Sequence, residues 1–363
     1  MLNLSFNFIN RLKRRFFPFY KNKDLKNIFE KLQKGHSKET VVARFVGGCV
    51  RKHLSGEDVD DIDIATILTV DEIKQRFQDT NIKIIETGIK HGTITLISDN
   101  HKLELTTLRK DLETDGRHAK VEYIDNWKLD SERRDFTINA IYLDIKGKIF
   151  DPQNGTLDLK NNNVKFIGDP QKRIDEDYLR IIRFLRFSIQ YDSVADKTTV
   201  AALKLNLNGI SKISKERILD ELFKILKLKN FKNVLKNENR KLIFSLIFPE
   251  LRYLDRLQKL DKTDINSKVK VDNLLAILLI DEKDNHEYFS HKYKVSNEIK
   301  DNLNLLAQNL KILRKDKNFL SKNLEKNIYF YGKKHLEILS QLEFLINKKN
   351  VLQNLLNLIK KIS

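Results

Sequence analysis

Apolar residues follow two regimes along the chain. Up to about residue 170 they come in short runs of period two, or in brief continuous patches, broken by turns: VVARFVGG, DIDIATI, IKIIETG, GTITLI, KLELTTL, INAIYLD and KIFDP. Such runs predict β-strands, with one helix over 70–79 opening after Thr69. Three of the four prolines and ten of the twelve glycines lie before residue 171, so turn chemistry is concentrated there too. Beyond that point the period becomes 3.6. Asp169 is suited to cap a helix that starts at Pro170 and reaches about Tyr191, and Ser214 to cap KERILDELFKIL. LLAILLI, LNLLAQNLKIL and LQNLLNLIKKI continue the helical pattern, with no repeat of fixed period. The expected class is α+β: a β-containing head on a long α-helical body.

The length of 363 residues allows two or three compact units at roughly 100–200 residues each. With 21 Phe and 10 Tyr the chain has enough apolar surface to offset its conformational entropy, which excludes disorder of the whole. The single cysteine, Cys49, excludes an intramolecular disulfide framework and a thiolate metal cluster, and makes the cytoplasm the expected compartment. No apolar run approaches the roughly 20 residues of a membrane span. The first 20 residues, MLNLSFNFINRLKRRFFPFY, place their charge after the apolar part and offer no small-residue cleavage site, so 1–23 reads as a basic extension and not a secretory signal.

The formal charge is +18, with 68 Lys+Arg against 50 Asp+Glu. Residues 231–363 hold 26 of the basic and 16 of the acidic residues, about twice the excess per residue of the rest. A phosphate-backbone surface and plain Lys-rich composition both account for that excess.

Chemistry concentrates in the head. Phe45-Val46-Gly47-Gly48-Cys49-Val50-Arg51 is an apolar strand running into Gly-Gly and then an arginine, as needed where backbone N–H groups approach phosphate oxygens and a guanidinium clamps them. Ten residues on, Asp61 and Asp63 are two apart on a β-type segment, so both carboxylates share one face while Ile62 and Ile64 bury the other. Like charges so placed destabilise a strand unless a cation sits between them, and Mg²⁺ is the natural hard, oxygen-seeking choice. Glu104, alternating with Leu103 and Leu105, offers a third carboxylate. The competing reading is an acidic surface strand, since Glu57, Asp58 and Asp60 lie just upstream.

Two further segments fit a nucleotide polymerase: Arg133-Arg134-Asp135-Phe136-Thr137-Ile138-Asn139-Ala140, expected to lead into an apolar strand, and Glu176-Asp177-Tyr178-Leu179-Arg180 on the helix from Pro170. On a continuous helix Asp177 and Arg180 are neighbours three apart, a spacing that also serves ordinary surface ion pairs. Cytosine and adenine each pair an exocyclic amino donor with a ring-nitrogen acceptor. A carboxylate plus a guanidinium can match either and meets like with like on guanine or uracil, at roughly 1–3 kcal/mol per good bidentate contact. Arg183 continues that row on the same side. On a straight helix Arg186 falls about 180° from Asp177, which suits a contact with phosphate, tRNA or the head better.

Together these segments resemble the class II tRNA nucleotidyltransferase/poly(A) polymerase family, and within it the bacterial CCA-adding enzymes. The likeness covers roughly residues 40–230 and also includes Thr87-Gly88-Ile89-Lys90-His91-Gly92-Thr93, the loop from Arg109 to Val121, and Ser214-Lys215-Glu216-Arg217. It implies a nucleotidyltransferase head with a mixed β-sheet over 24–150, a nucleotide-selecting and RNA-binding neck over 151–230, and a helical body and tail over 231–363 that binds tRNA.

By the same likeness, Asp61 and Asp63 are metal ligands and Glu104 the third acidic position. Gly47, Gly48 and Arg51 contact triphosphate, and Arg134, Asp135 and Asn139 contact nucleotide and ribose. Glu176, Asp177, Arg180, Arg183 and Arg186 belong to the nucleotide site, with Asp177 and Arg180 selecting the base. Where the family has Asp after Val-Arg, this chain has Lys52, which removes a partner that could orient Arg51. The implied activity is template-independent CCA addition to tRNA from CTP and ATP by two-metal Mg²⁺ chemistry with pyrophosphate release. A poly(A) polymerase or a partial A-adding enzyme with the same head is the alternative, and an RNA-binding protein with a decayed head is disfavoured by the retained Asp61, Asp63, Asp177 and Arg180. No obligate protein partner and no membrane partner is expected.

Overall fold

The computed structural model describes residues 18–98, 101–114, 119–260, 271–281, 283–316, 319–322 and 324–347. The basic stretch 1–17 and the terminal LQNLLNLIKKI lie outside the described residues. Of the expected extension, Phe19 and Tyr20 are described, and both rings pack edge-on against His53 at 5.5 Å.

The chain divides into two compact units, one holding the residues to Arg180 with Ser193–Ala202, the other Ile181–Asp192 with Leu203 onward. The first is built on a seven-stranded sheet of order β3-β4-β5-β2-β1-β8-β9. Its strands are β1 (Ala43–Val46), β2 (Ile62–Thr66), β3 (Lys83–Gly88), β4 (Thr93–Ile97), β5 (Lys102–Thr107), β8 (Tyr142–Leu143) and β9 (Ile149–Phe150). The pair β2/β5 is parallel and the other pairs antiparallel, so the sheet is mixed, as expected. A separate hairpin joins β6 (Arg109–Thr114) to β7 (Ala119–Tyr123), where a loop was expected over 109–121; residues 115–118 lie outside the described ones.

Strand alternation sorts the sheet into two faces. Phe45, Ile62, Ile64, Ile94, Leu96, Leu103 and Leu105 are buried. Helix α1 (Lys23–Gln33) packs its Leu25, Ile28, Phe29 and Leu32 on this side, with Phe29 and Phe45 ring centroids 4.6 Å apart. The opposite face carries a transverse row in register: Thr95, Glu104, Asp63, Val46, Tyr142. Helix α2 (Gly48–Leu54) follows β1, and α3 (Val70–Phe77) opens with the expected Thr69 cap, which forms a capping box with Glu72.

Two expectations of regular structure are overturned. INAIYLD is not one strand: Thr137–Asn139 is a buried 3₁₀ turn and only Tyr142–Leu143 pairs. Close packing selects the turn, because Gly155 lies so near that a Cβ there would meet the Thr137 carbonyl oxygen at 2.1 Å. The helix from Pro170 does not run to Tyr191 either. It ends as α6 (Pro170–Glu176), preceded by α4 (Trp127–Glu132) and α5 (Gly155–Lys160), and α7 (Leu179–Tyr191) starts afresh. Asp177 between them is extended (φ −156°, ψ 107°), and its carboxylate accepts from the Leu179 N–H at 3.0 Å. A good N-cap residue interrupts what periodicity alone reads as one helix.

The second unit is helical. After α8 (Lys197–Leu205), whose residues to Ala202 belong to the first unit, come α9 (Lys215–Leu226), capped by Ser214 as expected, α10 (Glu238–Ile247), α11 (Arg256–Lys259) and α12 (Val271–Leu279). Leu274 to Leu279 of α12 are all buried, as an apolar-all-round helix requires. Arg256 closes its C-terminal end by donating to the Ile277 and Ile280 carbonyls at 2.8 and 2.9 Å. Helices α13 (Asn285–Tyr293), α14 (Asn297–Lys315), α15 (Phe319–Lys322), α16 (Leu324–Tyr331) and α17 (Lys333–Asn347) complete it. None of the described helices is long and apolar enough to cross a membrane.

Candidate active site

The polar row on the sheet faces a cleft of about 250 Å³ lined by Val46, Asp63, Ile64, Thr93, Glu104, Thr106, Arg109, Arg133 and Arg134. Parallel pairing of β2 with β5 sets Asp63 directly beside Glu104. Burial, and then the repulsion of Glu104, push the Asp63 carboxyl up to about 6. Asp61 is exposed at the entry to β2 and adds to that repulsion, while Arg134 and Arg51 oppose it.

Such a frustrated acidic pair suits a hard cation. Among the described residues no three His, Cys, Asp or Glu side chains gather closely enough to enclose one.

The glycine turn abuts the same pair. Gly47 has φ +70°, and a Cβ there would lie 3.5 Å from an Asp63 carboxylate oxygen, so the left-handed backbone brings the chain close to Asp63 without a side chain between. Arg51, on α2, is buried and donates to the Asn139 side-chain carbonyl, whose amide donates to Asp135 at 2.8 Å. This chain joins the Val-Arg and Arg-Asp motifs through space. Lys52, in the position where an acid was expected, pairs with Asp60, and Arg51 is anchored by Asn139.

Arg134 is held by two residues absent from the motif reading. Its Nε donates to the Tyr142 hydroxyl at 3.1 Å, and its Nη2 donates to Asp130 at 3.0 Å. Arg133 donates to the other oxygen of Asp130 at 2.8 Å, and the Tyr142 hydroxyl donates to Asp130 at 2.7 Å. Asp130 is 0% exposed. Burial opposes its charge, but Arg134, Arg133 and Tyr142 outweigh burial and hold it well below the usual carboxylate range. The available signal was spacing, since Asp130 lies three and four residues before the two arginines on a helical segment.

The Glu176–Arg180 segment forms a second cluster. Glu176 receives Arg173, at 2.9 and 2.8 Å, and also Arg180. Arg173 further donates to the Arg134 and Glu132 carbonyls, tying the segment to the Arg133-Arg134 stretch. Asp177 and Arg180 therefore do not form the i, i+3 pair on a helix face that the spacing predicted. The angular argument for Arg186 also loses its basis, because Asp177 is not on α7. In the helical unit, Arg186 bonds the buried Glu221 of α9 at 2.8 Å and Arg183 approaches it at 3.8 Å.

A family model described as "Poly A polymerase head domain" matches residues 43–165, and one described as "Probable RNA and SrmB- binding site of polymerase A" matches 195–254. A CCA-adding enzyme of Staphylococcus saprophyticus is 34% identical over 321 residues, covering 88% of this chain and 76% of that protein. The human mitochondrial CCA tRNA nucleotidyltransferase 1 is 46% identical over 196 residues, but the match covers 52% of this chain and only 44% of that protein. Among solved structures, the Bacillus stearothermophilus CCA-adding enzyme in complex with CTP is similar in fold, with a TM-score of 0.72 at 22% identity over 92% of this chain and 80% of that one. A mixed-sheet head carrying Asp63 beside Glu104, and relatedness along most of the chain, agree: the chain belongs to the tRNA nucleotidyltransferase/poly(A) polymerase family, the family of the CCA-adding enzymes.

Proposed function

We propose that the chain adds CCA to the 3′ end of tRNA from CTP and ATP without a nucleic-acid template. The observation that carries this reading is the Asp63/Glu104 pair opening on a cleft walled by Arg109, Arg133 and Arg134, in a chain related along most of its length to a CCA-adding enzyme. The tRNA 3′-hydroxyl attacks the α-phosphorus, the α–β bridging P–O bond breaks, and pyrophosphate leaves. Asp61 and Asp63 are the residues assigned to hold Mg²⁺, which when bound would stabilise charge on the phosphate oxygens. Glu104 is the carboxylate assigned to receive the hydroxyl proton.

Arg51 binds triphosphate, with the Gly47–Gly48 backbone giving it close approach, and Arg134 contacts the nucleotide. Asp135 and Asn139 hold the ribose. Asp177 and Arg180 read the base edge, which requires Arg180 to turn from Glu176 toward the nucleotide, and Arg183 and Arg186 keep the nucleotide-contact role of their motif. The helices after residue 230 are assigned to tRNA, and the cytoplasm is the proposed compartment.

The test is incubation of the purified protein with Mg²⁺ and single or mixed NTPs, on tRNA ending before CCA and on an unrelated RNA. Three nucleotides added to tRNA from CTP plus ATP, and none to the unrelated RNA, is the expected result. Long A tails on either RNA would overturn it.

A further inference from the structure

We propose that Asp130 is a positioning residue for nucleotide binding, which aims Arg133 and Arg134 into the cleft and keeps both guanidiniums off the Asp63/Glu104 pair. It rests on the reading of that cleft as an NTP site.

Asp130 is fully buried at the C-terminal half of α4, yet it faces three side-chain donors, Arg133, Arg134 and Tyr142, and also the Arg109 backbone N–H at 3.3 Å. Its two oxygens divide the arginines between them. Arg133 Nε and Nη2 both lie 2.8 Å from Oδ1, while Arg134 Nε and Nη2 lie 3.2 and 3.0 Å from Oδ2. Each arginine is thus gripped along the Nε–Nη2 edge, which turns Nη1 away from Asp130. The planar fork of a guanidinium makes that orientation definite. Tyr142 adds the second grip on Arg134, and it stands in the transverse row of the sheet beside Val46, two strands from Asp63. Both arginines line the cleft with Asp63 and Glu104.

One buried carboxylate neutralises only part of two guanidiniums, so the group presents net positive charge to an anionic ligand. Without Asp130, the nearest carboxylates lining the cleft are Asp63 and Glu104. Arginines collapsed onto that pair would weaken triphosphate and divalent-cation binding together. This double loss separates positioning from a role in packing alone.

The experiment uses the full chain with Asp130→Asn, Asp130→Glu, Tyr142→Phe and Arg134→Ala, and reads equilibrium binding of Mg²⁺·ATP by calorimetry and of Mn²⁺ alone by electron paramagnetic resonance. Asp130→Asn should weaken Mg²⁺·ATP about 10- to 100-fold, the range of lost charged hydrogen bonds, and Mn²⁺ at least threefold. Asp130→Glu should recover part of both losses, and Tyr142→Phe should weaken ATP less than tenfold. In the Arg134→Ala background Asp130→Asn should cost clearly less than in the wild type, because one of the two positioned guanidiniums is already gone. A folded Asp130→Asn protein with wild-type affinity for both ligands would overturn the proposal, as would full additivity with Arg134→Ala. If Asp130→Asn fails to fold, wild-type ATP affinity in Tyr142→Phe and Asp130→Glu together decides against it. Because the readout is binding, a protein that adds the wrong nucleotides would refute CCA addition and leave this test intact.

Discussion

At the scale of single residues, the acidic centre was legible because strand alternation is strict. Asp63 and Glu104 each sit between buried aliphatics, so burying one face forces the carboxylates onto the other. Their pairing was not legible, since it depends on β2 and β5 lying parallel and in register across an intervening forty residues of chain. Asp61→Ala should therefore abolish nucleotide transfer without changing the melting temperature by more than a degree or two, because its side chain is exposed and outside β2. Retained transfer would remove Asp61 from the ligand set.

Glu221 shows the opposite balance. It is buried under Arg186, Arg183 and Lys224; burial opposes its charge, and the cations outweigh burial and hold it below the usual carboxylate range. A depressed folded pKa contributes stability above the unfolded value of about 4.3, and that contribution is lost as pH falls through the folded value. Glu221→Gln should lower stability at pH 7 by about 2–3 kcal/mol, less than a fully buried pair because Arg183 and Lys224 are partly exposed. The deficit should shrink in melts taken below pH 4; a deficit independent of pH would mean that packing, and not charge, is what Glu221 supplies.

At the scale of elements, sequence patterns were reliable where one face is buried and failed where local bonding competes with periodicity. The strands β1, β2, β4 and β5 were visible as apolar alternation. The β6/β7 hairpin was not, because RKDLETDGRHAKV carries charges on both faces and offers no period to detect. The break between α6 and α7 was hidden for a different reason: both sides keep the helical period, and only the bond from the Leu179 N–H to Asp177 reveals a cap. That dual position yields a separation of roles. Asp177→Asn should preserve the cap, since Asn caps as well as Asp, and hold the melting temperature while weakening preference for CTP and ATP over GTP and UTP by roughly 10- to 100-fold. Asp177→Ala should lose both, with about 1 kcal/mol from the cap. Unchanged discrimination among the four NTPs in the Asn variant would transfer base reading to other residues. Gly155 carries a structural counterpart: Ala there should cost about 1–3 kcal/mol by driving a methyl into the Thr137 carbonyl and shifting the turn that holds Asn139, visible as a lower melting temperature.

At the scale of the whole molecule, the basic excess divides into two kinds of charge. In the first unit four arginines are committed to carboxylates, Arg133 and Arg134 to Asp130 and Arg173 and Arg180 to Glu176, so their role is geometry as much as attraction. In the helical unit the stretch KILRKDK brings Lys311, Arg314, Lys315 and Lys317 together in sequence, and the structure sorts those it describes. Arg314 is half-buried with Glu343 at 4.0 Å, Lys317 lies outside the described residues, and Lys311 and Lys315 are exposed near the end of α14. The partial negative charge of a helix C-terminus also favours cations there, which accounts for basic residues at the end of α14 without any ligand. The two explanations differ in their salt dependence. If Lys311 and Lys315 meet RNA phosphates, replacing both with Gln should reduce the slope of log Kd against log salt for tRNA by about 1–1.5, and Arg314→Gln should instead lower stability with little change of slope. Equal slopes for wild type and the Lys311→Gln/Lys315→Gln protein would assign those lysines to composition and helix-end electrostatics alone.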